Sequence, residues 1–228
     1  MERANPTDTI DVSLTEFIEK KKTLFSAHME GGIPDYAYGL DFVLRQKLKA
    51  IPGFYALAKA ITNTYVPAMK QQLHLDSLKV SPSQFPDIYE HTVDCARTLG
   101  IGIPTVFVKP EPAVINASTL AIEDDAPLII LNSALVERFS SSELKSVLGH
   151  ECGHIHNNHG IYNTAAQLIL DAFQVGIPGV NQILQLVSTP LRWAFNTWSR
   201  AAEITCDRAG IICAGNVEDT MRIMAKLM

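Results

Sequence analysis

The chain has 228 residues, of which 47% are hydrophobic and 19% charged, and carries a formal net charge of −5. This length and composition suit a folded chain with a sizeable core and exclude intrinsic disorder. The acidic balance argues against nucleic acid as a partner, since Lys20-Lys21-Lys22 is too short to make a basic stripe.

The first eleven residues are polar and acidic and read as a loose arm without the basic start and apolar run of a signal peptide. Residues 12–27 have helical spacing, which Gly31-Gly32-Ile33-Pro34 breaks. A second helix is predicted over 36–50 and ends at Ile51-Pro52-Gly53. A third runs through Leu57, Ile61 and Tyr65 toward Leu73, with a kink expected at Pro67. Residues 80–86 form a turn-rich joint, and 87–99 an amphipathic helix closed by Gly100. Three extended runs follow, at 103–108, 113–122 and 127–131, which predict a small, antiparallel sheet of about three strands. From Ser133 onward the pattern is helical again.

The most apolar stretch, 165–187, is interrupted by Asp171, Gly176, Pro178, Gly179 and Asn181. It falls short of a transmembrane span and reads as a helical hairpin with a Gly-Ile-Pro-Gly turn. Residues 165–189 are expected to be core, with a movable lid as the competing reading. The whole is α+β and mainly helical. An N-terminal helical segment, 1–80, is expected to pack on a domain spanning 81–228. The cysteines Cys95, Cys152, Cys206 and Cys213 form no C-x-x-C pair and read as buried thiols.

The chemistry concentrates at His150-Glu151-Cys152-Gly153-His154, an H-E-x-x-H pattern. On a helix its two histidines leave one face about a turn apart, a spacing that lets both imidazoles grip one Zn²⁺. Glu151 then stands where it can take a proton from water. The helix has a start signal in Ser140 with Glu143 three residues on, a capping box. Leu144, Val147, Leu148 and Ile155 turn the histidine face inward, and Gly153 occupies the crowded inner position. The competing reading is a core helix with two satisfied histidines.

A third ligand is required. His159 is one residue short of the position that H-E-x-x-H-x-x-G-x-x-H would demand, and His156 falls on another face. Both read as solvent or supporting histidines. Glu203 and Asp207, at i and i+4 on a later helical stretch, are the better candidates. Glu203 can offer a carboxylate oxygen to zinc, and Asp207 can fix a ligand imidazole by accepting its N–H. Their competing reading is a surface ion-pair set with Arg200 and Arg208.

Residues 144–155 (LKSVLGHECGHI) and 198–210 (WSRAAEITCDRAG) together resemble the HtpX-like zinc metallopeptidases, gluzincins related to the CAAX prenyl endopeptidases. The resemblance spans about residues 35–228. It implies a zincin-like domain whose sheet packs on the H-E-x-x-H helix, with one Zn²⁺ held by His150, His154 and Glu203. It implies Glu151 as general base and Asp207 as supporting acid. Asn116 and Ala117 resemble the family's edge strand beside the cleft, where extended substrate can pair. The implied function is a zinc metalloendopeptidase acting on peptide or unfolded protein. The alternative is a zinc-binding pseudoprotease that serves as a binding or chaperone-like module. Without clear spans, the chain resembles a soluble or peripheral branch, so a cytoplasmic or membrane-peripheral location is expected. Peripheral membrane contact and oligomeric state stay open.

Overall fold

The computed structural model describes residues 28–30, 32–52, 54–120, 126–164 and 180–227. The helix expected over 12–27 lies outside them, as does the hairpin turn expected near 176–179.

A two-stranded ribbon, β1 (Met29–Glu30) and β2 (Ile33–Pro34), precedes the first helix, with Gly31 of the expected break outside the described residues. Helix α1 (Gly39–Ala50) follows, then α2 (Phe54–Asp76), which continues through Pro67. Strand β3 (Leu78–Lys79) leads to α3 (Pro86–Leu99). Proline suits the first turn of α3 because its missing N–H would have no partner there. Gly100, at φ 69°, ends the helix in the left-handed conformation that glycine adopts at least cost. Ile88, Thr92, Cys95, Ala96 and Leu99 form its buried face.

Strands β4 (Thr105–Lys109), β5 (Ala117–Leu120) and β6 (Leu128–Asn132) complete a four-stranded sheet of order β3-β4-β6-β5. The expectation of an antiparallel sheet holds for β3–β4 and β5–β6, but β4 and β6 run parallel. The reason is topological. β6 inserts between β4 and β5, so the two strands that share a direction become neighbours. That central place explains the apolar run of β6, whose Ile129 and Leu131 are fully buried. β5 is left at the sheet edge.

Helix α4 (Ser133–Arg138) connects the sheet to α5 (Ser141–His156), the hub of the domain. The capping box forms as expected. Glu143 N–H donates to Ser140 Oγ at 3.3 Å, and Ser140 N–H donates to Glu143 Oε2 at 2.7 Å. Helix α6 (Val180–Ala214) packs along α5, so the second arm of the expected hairpin runs without a break into the helix carrying Glu203. Helix α7 (Val217–Leu227) closes one end of α5, where Lys226 Nζ donates to Glu143 Oε2 at 2.6 Å.

The main core joins α3, α5 and the sheet through Leu99, Ile129, Leu131, Leu148 and Cys152. Burying each large aliphatic side chain contributes about 1.5–3 kcal/mol, which makes this layer the principal support of α5. The α5–α6 seam is close. A Cβ on Gly153 would stand 2.8 Å from Ala209 Cβ, and one on Gly149 would stand 2.6 Å from Cys213 Cβ. All four cysteines are buried free thiols, as expected. Among the described residues no helix is long and apolar enough to cross a membrane.

Candidate metal centre

The close seam sets the distance between the two helices that carry the candidate ligands. From α5, His150 and His154 project toward α6. From α6, Glu203 projects back. His150 Nε2 lies 3.2 Å from Glu203 Oε2, and His154 Nε2 lies 3.7 Å from Glu203 Oε1. Two imidazole nitrogens therefore converge on one carboxylate. Asp207, one turn on, accepts from His150 Nδ1 at 3.0 Å. That bond fixes Nδ1 as a donor, so that when a metal displaces the Nε2 proton the freed lone pair points toward Glu203.

The electrostatics favour a cation at this point. Burial pushes His150 down, yet its bonds to Asp207 and Glu203 and the charge of Glu151 outweigh it, and its pKa rises to about 10. His154 is held well below its ordinary value by burial and by its histidine neighbours, so it is neutral and a competent ligand. Burial raises the Glu151 carboxyl, partly offset by the nearby His150 and by a hydrogen bond from Thr119. Thr119 Oγ1 lies 2.7 Å from Glu151 Oε2, so a hydroxyl on edge strand β5 holds the carboxylate in place.

His150, Glu151, His154, Glu203 and Asp207 all line one cleft of about 680 Å³. Asn116, just before β5, and Ala117 and Thr119 within it line the same cleft, as do Ile223 and Met224 of α7. The side chain of Glu203 is half exposed to this cleft, and that of His154 is buried. The structure thus places Asn116, Ala117, His150, Glu151, His154, Glu203 and Asp207 around one cleft, while His156 bonds Tyr36 elsewhere.

A second donor set includes sulfur. His150, His154 and Cys206 carry ligand atoms within 4.8 Å of one another. Cys206 Sγ, however, lies 3.5 Å from His159 Nδ1, the atom that also meets His154 Nδ1 at 3.1 Å. The thiol therefore sits behind His154, away from the cleft, and burial pushes its pKa well up. A bound metal would itself displace the thiol proton, so it is the position of Cys206 outside the cleft that sets it apart. Glu203 faces the Nε2 atoms of both histidines at 3.2 and 3.7 Å, and two imidazoles with one carboxylate are a donor set that suits zinc.

Comparison with known proteins identifies the family. Residues 82–228, well over half of the chain, match the sequence profile of peptidase family M48. The chain belongs to family M48. Among curated M48-like proteins it is 33% identical over 199 residues to the plastoglobule-localized metallopeptidase 48, chloroplastic, of Arabidopsis thaliana, covering 85% of this chain and 55% of that one. It is 33% identical over 82 residues to the protease HtpX of Nitrosococcus oceani, covering 35% of this chain and 27% of that protein. The HtpX homolog of Desulfotalea psychrophila is 34% identical over 80 residues, covering 35% of this chain and 28% of its own. The chain thus spans about half the length of the plant relative and just over a quarter of the bacterial ones. No solved structure matches.

Two residues at this centre, Thr119 and Asp41, were missed in the sequence, and a third, His159, was left open. Thr119 was inside an expected strand, but nothing marked its hydroxyl as a partner of Glu151. His159 was weighed as solvent or support, and the structure makes it a fully buried support. Asp41, in α1, gave no signal because its partners are more than a hundred residues away.

Proposed function

We propose that this chain is a zinc-dependent metalloendopeptidase holding one Zn²⁺ on His150, His154 and Glu203, with Glu151 as general base. The observation that carries the reading is the meeting of two Nε2 atoms and one carboxylate in an open cleft beside a buried glutamate. The protease names of the M48 relatives support the same reaction class. Bound there, zinc would polarise a scissile carbonyl and make water acidic near neutral pH.

The chain's own residues do the rest. Asp207 keeps His150 in the tautomer that offers Nε2. Thr119 orients Glu151, which takes the proton of the attacking water and delivers it to the leaving amine. Peptide lies extended along the edge of β5, near Asn116 and Ala117, and pairs with it through main-chain hydrogen bonds. Such pairing accepts many sequences, which suits unfolded protein as substrate. A membrane-peripheral placement is compatible with the plastoglobule location in the plant relative's name.

The test compares bound zinc and casein cleavage in the wild type, Glu151→Gln and Glu203→Ala. Glu151→Gln is expected to keep stoichiometric zinc and lose about 10²–10⁴-fold in cleavage rate. Glu203→Ala is expected to lose zinc. Full activity in Glu151→Gln would remove the general base from the mechanism. Uncut casein with zinc-loaded wild type would favour the binding-module alternative.

A further inference from the structure

Behind His154 lies a second layer of polar groups that the peptidase mechanism does not use. His154 Nδ1 meets His159 Nδ1 at 3.1 Å. His159 Nε2 meets Asp41 Oδ2 at 2.9 Å. His159 and Asp41 are 0% and 1% exposed, so water does not compete for these bonds. The Asp41 carboxylate collects two further donors, Trp198 Nε1–H at 2.9 Å and the Thr205 hydroxyl at 2.9 Å. Thr205 Oγ1 in turn accepts from Tyr38 N–H at 3.1 Å.

Proton accounting gives the row a single direction. An ionised carboxylate only accepts, so His159 carries its proton on Nε2. A neutral His159 then has a bare Nδ1, which can only accept. Two donors reach that Nδ1, His154 Nδ1–H at 3.1 Å and the Cys206 thiol at 3.5 Å. The shorter, stronger imidazole contact assigns the donor role to His154, with Asn163, 3.4 Å away, turning its amide oxygen to the same N–H. The His154 lone pair then stands on Nε2, the nitrogen facing Glu203. His150 reaches the same tautomer in one step through Asp207. His154 reaches it in two, because a second imidazole is interposed.

We propose that Asp41 and His159 are positioning residues for the metal centre: Asp41 sets the tautomer of His159, which presents Nε2 of His154 to the metal. This inference rests on the zinc reading above. It assigns to α1, which lies before the residues matched to the M48 profile, a part in building the metal site.

Asp41→Asn is the sharpest variant, because the asparagine amide is nearly isosteric yet offers donors. With its oxygen on Trp198 Nε1–H, its NH₂ faces His159 Nε2 and forces the opposite tautomer there. His154 must then carry its proton on Nε2, and the ligand lone pair is lost. Loss of such orienting partners costs about 10–100-fold in metal affinity.

The experiment has two arms. Zinc affinity is measured by chelator competition for wild type and Asp41→Asn, with the melting of the zinc-free proteins as a control of folding. A 10–100-fold weaker Kd with a cooperative melt is expected, and a Kd within twofold of wild type would overturn the proposal. Independently, ¹⁵N histidine spectra of the wild type should show His159 protonated at Nε2 and bare at Nδ1, with or without zinc. The reverse tautomer overturns the proposal even if Asp41→Asn does not fold. A wild type that takes up no zinc would instead sink the metalloendopeptidase reading, while the zinc-free spectrum still decides the Asp41–His159 arrangement.

Discussion

At the residue scale, the two partners of Glu151 have separate duties. In the metal-free protein His150 offsets its charge, whereas Thr119 supplies direction through its 2.7 Å hydrogen bond. Replacing Thr119 by Val removes the hydroxyl at almost constant volume and leaves the carboxylate free to rotate. A roughly tenfold fall in kcat with little change in KM is expected, since one charge-assisted hydrogen bond is worth about 1.5–3 kcal/mol and part of that orients the base. Steady-state kinetics on a peptide substrate checks it, and an unchanged kcat would show that Glu151 is oriented without Thr119. The contrast between these partners also explains what was legible in the sequence. His150, Glu151 and His154 are neighbours along one helix, so their spacing alone encodes their geometry. Glu203 and Asp207 repeat that logic on a second helix. Thr119 and Asp41 meet the site only through tertiary packing, and no local pattern marks a residue whose partner lies 32 or 118 positions away.

At the element scale, α5 is fixed by its cap and by its seam. The cap was legible because Ser140 and Glu143 sit three apart. The clasp by Lys226 was not, since it arrives from 83 residues downstream. Burial pushes the Glu143 carboxyl up, but bonds from Lys226 and Ser140 outweigh it and hold the group below its ordinary value. A carboxyl depressed in this way contributes stability above its unfolded pKa of about 4.3, and the contribution fades as pH falls through the folded value. Glu143→Gln should therefore narrow its stability gap to wild type as the pH drops below about 4, as urea denaturation at several pH values would reveal. A gap constant down to pH 3 would contradict the charge-based clasp. The seam makes a different demand. Gly153→Ala would push a methyl to 2.8 Å from Ala209 Cβ and 3.1 Å from the Cys206 backbone. Neither neighbour can swing aside, so the helices must part, at a cost of about 1–3 kcal/mol and some zinc affinity. A variant as stable as wild type would show that the α5–α6 spacing is soft.

At the scale of the whole molecule, the helical character and the small sheet followed from periodicity, but the parallel pairing of β4 with β6 did not. Periodicity reports which face of a strand is buried, and says nothing of which strand lies beside it. The assembled centre gathers Glu151, Glu203 and Asp207 around His150. A bound divalent cation should relieve their mutual repulsion and stabilise the fold by mass action. At zinc a hundredfold above its Kd, chelation is expected to lower Tm by about 5–10 °C. Calorimetry with and without a chelator measures this, and an unchanged Tm would mean that no ion is held.

The separation between Asp41 and its partners has a consequence in time. Its three side-chain donors follow it by 118, 157 and 164 residues. A ribosome making roughly 5–20 residues per second reaches them many seconds after α1 has emerged. Throughout that interval the nascent chain possesses neither Glu203 nor the layer behind His154. The proposed metal centre can therefore form only after most of the chain has been made. The sheet and helices α2 to α5, which separate α1 from α6 in the sequence, thus make assembly of the layer behind His154 a late event in synthesis.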